Sequence, residues 1–273
     1  MPFEIGIVIG VLTIVFFAVL GRATFGFGEA LVSMPVVVLL VGLDVARPYI
    51  AILSIFNGLA ILAGHFRHLR FRSALPLVFS SAIGIALVFW LLKDMKNSDA
   101  YEPVVKATLG VIIIGFSLFK LFRPERLHLS TDRTALAFGF VAGMLAGAYN
   151  TPGPPIVVYG TLRRWTADQF RATFQGFALP CTAIVVIGHF VEDAITTDVL
   201  WLVVVSLPVC TVAIFAGRWL SRRIKESRFS QILYILLLGM GLFLVINSLF
   251  PSSNSDKNQS PPSTGIKQTS TLN

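Results

Sequence analysis

Apolar positions in this chain come in long unbroken runs, not in the alternating or helical stripes of a soluble fold. Six runs approach the about 20 residues that a helix needs to cross a bilayer core, and each is bounded by charge: 45–64, 74–92, 104–122, 170–190, 199–220 and 232–250. Two further regions are interrupted. In the first, an apolar run at 3–20 meets GRATFGFGEALVSMP, Gly21 to Pro35, before a short run at 36–43. In the second, 134–148 meets a Pro/Gly break within GMLAGAYNTPGPP, Gly143 to Pro155, before 156–162. Runs that short cannot cross alone at about 1.5 Å per residue. Each interrupted region therefore reads as two thin spans or a re-entrant hairpin, and irregular backbone at membrane depth needs protein or a water-filled cavity to cover it. The pattern predicts an all-α polytopic membrane protein of about eight to ten membrane segments.

The two halves match beyond their breaks. Arg47 stands 18 residues before His65 in Gly64-His65-Phe66, and Arg171 stands 18 residues before His189 in Gly188-His189-Phe190. Pro35 and Pro155 precede these spans correspondingly. The expected organisation is a first membrane repeat at 1–122, a connecting loop at 123–132, a second repeat at 133–250 and a disordered Ser/Thr/Asn/Pro-rich tail at 251–273. Arg67, Arg70 and Arg72, the loop from Lys120 to Arg133, and the stretch around Arg218 to Arg228 carry the basic residues. By the positive-inside rule these loops are cytoplasmic, which places both termini outside. Three spans per half, plus a broken region contributing two crossings or none, is an odd number. The second repeat is therefore expected to be inverted relative to the first, the arrangement in which paired broken helices mark a transporter's binding site.

Composition agrees: 55% of the residues are hydrophobic, 13% are charged, and the mean hydropathy is +0.78. The formal charge of +8 resides in short loops between apolar runs, where it serves topology, so nucleic acid is not an expected partner. Cys181 and Cys210 fall inside apolar segments and read as small buried hydrophobes. The run at 3–20 has no Lys/Arg-rich start or clear cleavage site and is expected to be a retained span.

Candidate chemistry concentrates in the interruptions. Glu29 is expensive at membrane depth, so it is read either as a protonatable coupling group or as a solvated residue at an interfacial turn. Arg22 either pairs with Glu29 or substrate, or snorkels to the headgroups. Asn150, Thr151, Pro152, Gly153 and Pro155 suit a helix start, with Asn150 or Thr151 as the cap and free N–H groups pointing at a ligand. Gly26, Gly28 and Pro35 suit the first half similarly; the bland alternative is close helix packing by small residues. Asn57 and Gln175 would line the cavity or bond helix to helix, and Arg47 and Arg171 would serve as charge partners or cap and snorkel at span ends. His65 and His189 read as interfacial anchors, without metal-ligand spacing around them. No Walker A, H-E-x-x-H or G-x-S-x-G sequence supports ATP-driven transport by this chain alone or a familiar hydrolase, so neither a metal nor a cofactor is expected.

GRATFGFGEALVSMP, GAYNTPGPP and DQFRATFQGFAL together resemble the TauE/SafE sulfite exporter family of membrane transporters, over essentially the whole chain to about Phe250. The family positions in this sequence are Gly21, Gly26, Gly28 and Pro35, then Gly147, Asn150, Pro152, Gly153 and Pro155. The resemblance implies proton- or potential-driven movement of sulfite, sulfonates, sulfoacetate or related small anions across the cytoplasmic membrane, without enzymatic activity. An anion channel is the alternative, with an intramembrane enzyme behind it.

Overall fold

The computed structural model describes residues 3–95, 134–163 and 165–221, together with isolated helical positions within 107–118 and 238–246. The expected spans at 104–122 and 232–250 lie outside the described residues apart from those positions, and the connecting loop at 123–132 and the tail at 251–273 lie outside them altogether. The described chain is all-helical: α1 (Ile5–Phe25), α2 (Glu29–Val41), α3 (Leu43–His65), a 3-10 turn at Phe66–His68, α4 (Phe71–Met95), α5 (Thr134–Tyr149), α6 (Gly153–Leu162), α7 (Ala167–Val191) and α8 (Thr197–Ser221).

Five of these helices, α1, α3, α4, α7 and α8, are long and apolar enough to cross a membrane. Helices α2 and α6 have 13 and 10 residues. At about 1.5 Å per residue they rise roughly 20 and 15 Å, well short of the hydrocarbon core. Both interruptions are narrower than their sequence limits suggest. Helix α1 runs unbroken through Gly21 to Phe25, and Pro35 lies inside α2, so the non-helical backbone is confined to 26–28 and 150–152. A proline inside a helix frees one carbonyl, a defect that neighbouring protein covers in a membrane bundle.

The helices pair reciprocally. α4, which ends the first half as described, packs along α5, which opens the second; α8 packs along α1; α3 and α7 pack together between them. Small residues allow both outer seams to close tightly. A Cβ on Gly139 would lie 2.1 Å from the Ser80 hydroxyl, and one on Gly143 would lie 2.1 Å from the Ser81 carbonyl oxygen. On the other seam, a Cβ on Gly217 would stand 2.6 Å from that of Ala23. Backbones in such contact gain dispersion that lipid cannot offer.

Burial runs opposite to that of a soluble protein. Phe79, Trp90, Phe190 and Val191 are exposed, whereas Arg22, Glu29, Asn57 and Gln175 are buried at 4% exposure or less. An apolar exterior around a polar centre is the arrangement for lipid, so the chain is a multi-pass membrane protein.

A candidate anion site between two helix starts

Both breaks begin with a residue in the left-handed backbone region. Gly26, at φ 92°, closes α1, its N–H donating to the Arg22 carbonyl at 2.7 Å. Asn150, at φ 53°, closes α5, its N–H donating to the Ala146 carbonyl at 2.8 Å. Glycine and asparagine are the residues that tolerate this conformation at a helix end. The sequence suggests Asn150 or Thr151 as a cap opening α6. The structure corrects this: Asn150 terminates α5, its side-chain Nδ2 donates to Ser54 Oγ at 3.1 Å, and Thr151 Oγ1 caps nothing.

Gly28, at φ 100°, then turns the chain into α2, so Glu29 is the first residue of that helix. Its carboxylate is fully engaged. Arg22 Nη1 donates to Oε2, and Asn57 Nδ2 donates to Oε1 at 2.8 Å. The other end of the Arg22 guanidinium donates from Nη2 to Gln175 Oε1 at 2.8 Å, while Gln175 Nε2 donates to the Gly26 carbonyl at 2.7 Å. One network thus ties α1, the break, α2, α3 and α7 together. Arg22 does not snorkel and Glu29 is not solvated; each neutralises the other in the interior, the geometry a buried charge requires.

The N-termini of α2 and α6 face a shared cavity of about 30 Å³. Gly28, Glu29 and Ala30 line it from one helix start, and Thr151, Pro152 and Gly153 from the other. At the start of α2 the N–H groups of Glu29, Ala30 and Leu31 have no partner within the helix, whereas Pro152, Pro154 and Pro155 have none to give and Gly153 is the donor among the first three residues of α6; these donors and the positive ends of the two helix dipoles favour a negative occupant. Arg22 brings a guanidinium to the lining, balanced there by the Glu29 carboxylate to which it is bonded. Thr151 is 2% exposed, lines this space, and its Oγ1 has no hydrogen-bond partner among the described residues; Asn150 Oδ1 is in the same position. Buried polar atoms are normally satisfied, and a pair left open beside a cavity marks a place for a ligand or water.

Seven of the residues singled out in the sequence line the cavity: Arg22, Gly28, Glu29, Asn150, Thr151, Pro152 and Gly153. Asn57 and Gln175 stand behind it, holding Glu29 and Arg22. Gly26, Pro35 and Pro155 are not in the lining. The two matching arginines cap helix ends across the halves: Arg47 Nη2 donates to the Gly147 carbonyl at 2.8 Å, and Arg171 Nη2 to the Thr24 carbonyl at 2.7 Å. His189 is buried rather than interfacial, with its ring 5.4 Å from that of Phe89, which the Arg47 guanidinium also faces at 5.8 Å. The side chain of His65 lies outside the described residues. Cys181 and Cys210 are free and buried, as expected.

The sequence reading missed Ser54 and Thr182, which add hydroxyls to the lining beside the apolar Leu31, Phe174 and Ala178. A periodicity signal was available. Ser54 precedes Asn57 by three residues and Thr182 follows Gln175 by seven, so each shares a helix face with a polar residue already noticed.

The family model described as "Sulfite exporter TauE/SafE" matches residues 11–244. A protein of Cupriavidus necator named "Probable sulfite/organosulfonate exporter TauE" is 22% identical over 246 residues, covering 85% of this chain and 93% of that protein. No solved structure matches the chain.

Proposed function

Because the chain belongs to the TauE/SafE sulfite exporter family, we propose that it carries a small anion, sulfite or a related organosulfonate, across the cytoplasmic membrane. The observation that carries this reading is the cavity between the starts of α2 and α6, where two helix N-termini, Arg22 and the Thr151 hydroxyl, unpartnered among the described residues, meet. The name of the Cupriavidus relative supports the substrate class.

The mechanism is alternating access around this site by two inverted repeats, with coupling to protons or to membrane potential. Three features support the repeats: the matching order of helix, break, short helix and two long helices in each half, the reciprocal packing of α4 on α5 and α8 on α1, and the reciprocal arginine caps. With the spans expected at 104–122 and 232–250, each half holds a broken region and three full helices, and both termini lie outside. In this reading Arg22, Thr151, the free N–H groups at the start of α2 and that of Gly153 in α6 hold the anion, while Asn57 and Gln175 orient the ionic pair.

Reconstituted protein in liposomes tests the proposal. Preloaded sulfite should drive counterflow of labelled sulfite or methanesulfonate that saturates with concentration. Absence of flux for both anions would count against transport, and a flux that never saturates would indicate a channel.

A further inference from the structure

Arg22 and Glu29 are the charged side chains in the cavity lining among the described residues, and they are bonded to each other. With Glu29 ionised the lining therefore carries no net charge. An anion entering it would meet a carboxylate, and the guanidinium edge at Nη1 would already be occupied. We infer that the anion binds only when Glu29 takes up a proton, so that anion and proton cross together and neither the loaded nor the empty site carries net charge. This rests on the transport reading above and selects proton coupling over potential coupling.

The exchange balances atom by atom. A proton from the aqueous side adds to the Glu29 carboxylate, and the Arg22 Nη1–H donor turns from Glu29 Oε2 to an oxygen of the anion. On release the anion leaves, the proton returns to water, and the ion pair re-forms. The empty site holds Arg22 cation and Glu29 anion. The loaded site holds Arg22 cation, neutral Glu29 and a monoanion.

The surroundings leave Glu29 as the group that changes charge. From α1 it faces Arg22, and from α3 Asn57, with Tyr49 further along the same helix bonded to Ser206 of α8 at 2.6 Å. From α7 it faces Gln175 through Arg22; from α8, Cys210, whose Sγ lies 3.9 Å from Asn57 Nδ2. From the second break the lining offers Asn150, Thr151, Pro152 and Gly153, none of which titrates. Arg171, nearby on α7, is engaged with Thr24 and Asp168. Asn57 Nδ2 can hold the neutral carboxyl as it holds the charged one, through the same oxygen, so the pair can open without moving the backbone.

The test uses the full-length protein in liposomes and methanesulfonate, which keeps its single charge, so that substrate protonation cannot imitate coupling; sulfite serves as a second probe. An imposed pH gradient should accumulate methanesulfonate on the alkaline side, and a potassium diffusion potential at equal pH should not. Binding should weaken about tenfold per pH unit on the alkaline side of the transition, the slope of one linked proton. Glu29→Gln should bind with no pH slope and lose accumulation driven by the pH gradient, and a pH slope that persists in this variant overturns the inference. Flux that follows the potential and ignores the pH gradient overturns this inference while leaving transport intact; no counterflow of either probe overturns the transport reading itself. Should Glu29→Gln fail to fold, the two gradients applied to the unaltered protein still decide.

Discussion

Arg47 crosses from α3 to donate to the carbonyl oxygen of Gly147 at 2.8 Å, and Arg171 makes the mirrored bond from α7 to Thr24 at 2.7 Å. Each half of the molecule thus holds the negative end of the other half's broken helix, where a cation is most favourable. Replacing either arginine by alanine strands a carbonyl away from water, at about 1–3 kcal/mol. Arg47 is 4% exposed and the Arg171 side chain 13%, so Arg47→Ala should lower the melting temperature in detergent more than Arg171→Ala. Equal melting of Arg47→Ala and the parent protein would indicate that Arg47 reaches the lipid headgroups instead.

Arg22 and Glu29 should behave as a coupled pair. Removing Arg22 alone leaves a buried carboxylate, a loss of about 3–5 kcal/mol. The double replacement Arg22→Met with Glu29→Met should cost much less than the sum of the single changes, because neither charge remains to be desolvated. Thermal unfolding of the three variants gives the coupling, and additive losses would contradict the pairing.

Thr151 separates binding from folding. Its hydroxyl is buried without a hydrogen-bond partner among the described residues, so Thr151→Val should leave the melting temperature of the empty protein unchanged or raise it slightly. The same change should weaken sulfite binding by about tenfold, one neutral hydrogen bond's worth, read as a smaller sulfite-induced thermal shift. A normal sulfite shift in Thr151→Val would remove this hydroxyl from the site.

The α4–α5 seam should tolerate nothing larger than glycine at its centre. Gly143→Ala puts a methyl group against the Ser81 backbone, whereas a Cβ on Gly6, near the exposed start of α1, meets nothing within 4 Å. Gly143→Ala should therefore cost several kcal/mol, more than ordinary overpacking at about 1–3 kcal/mol because backbone must shift. Gly6→Ala should be neutral or gain up to about 1 kcal/mol of helix propensity. Yields of monodisperse protein and melting curves check both.

What the sequence revealed followed from strong local signals. Glycine, proline and charge inside apolar chain located both breaks, and the expense of a buried Glu29 made it conspicuous. The limits of the breaks were less visible: Gly21 and Pro35 punctuate soluble helices, yet here neighbouring helices cover the backbone and both remain helical. Asn150 was noticed for the wrong task, since the same residue type opens one helix or closes another, and only the backbone angle decides. Ser54 and Thr182 were hidden because one hydroxyl in an apolar run is a common sight in membrane helices. Their significance comes from facing the same space across α3 and α7, a tertiary fact.

The seam between α1 and α8 also bears on how the protein is made. Thr24 donates to the Gly217 carbonyl across 193 residues of chain. At about 5–20 residues per second of synthesis, α1 waits roughly 10–40 s for the helix that will flank it. During that wait Arg22 would be a lone charge in lipid, except that Glu29 emerges seven residues later and can neutralise it at once. Gln175, 153 residues downstream, joins only when the bundle closes. The ionic pair at the centre of the finished protein is thus between residues made within moments of each other, well before the rest of the bundle leaves the ribosome.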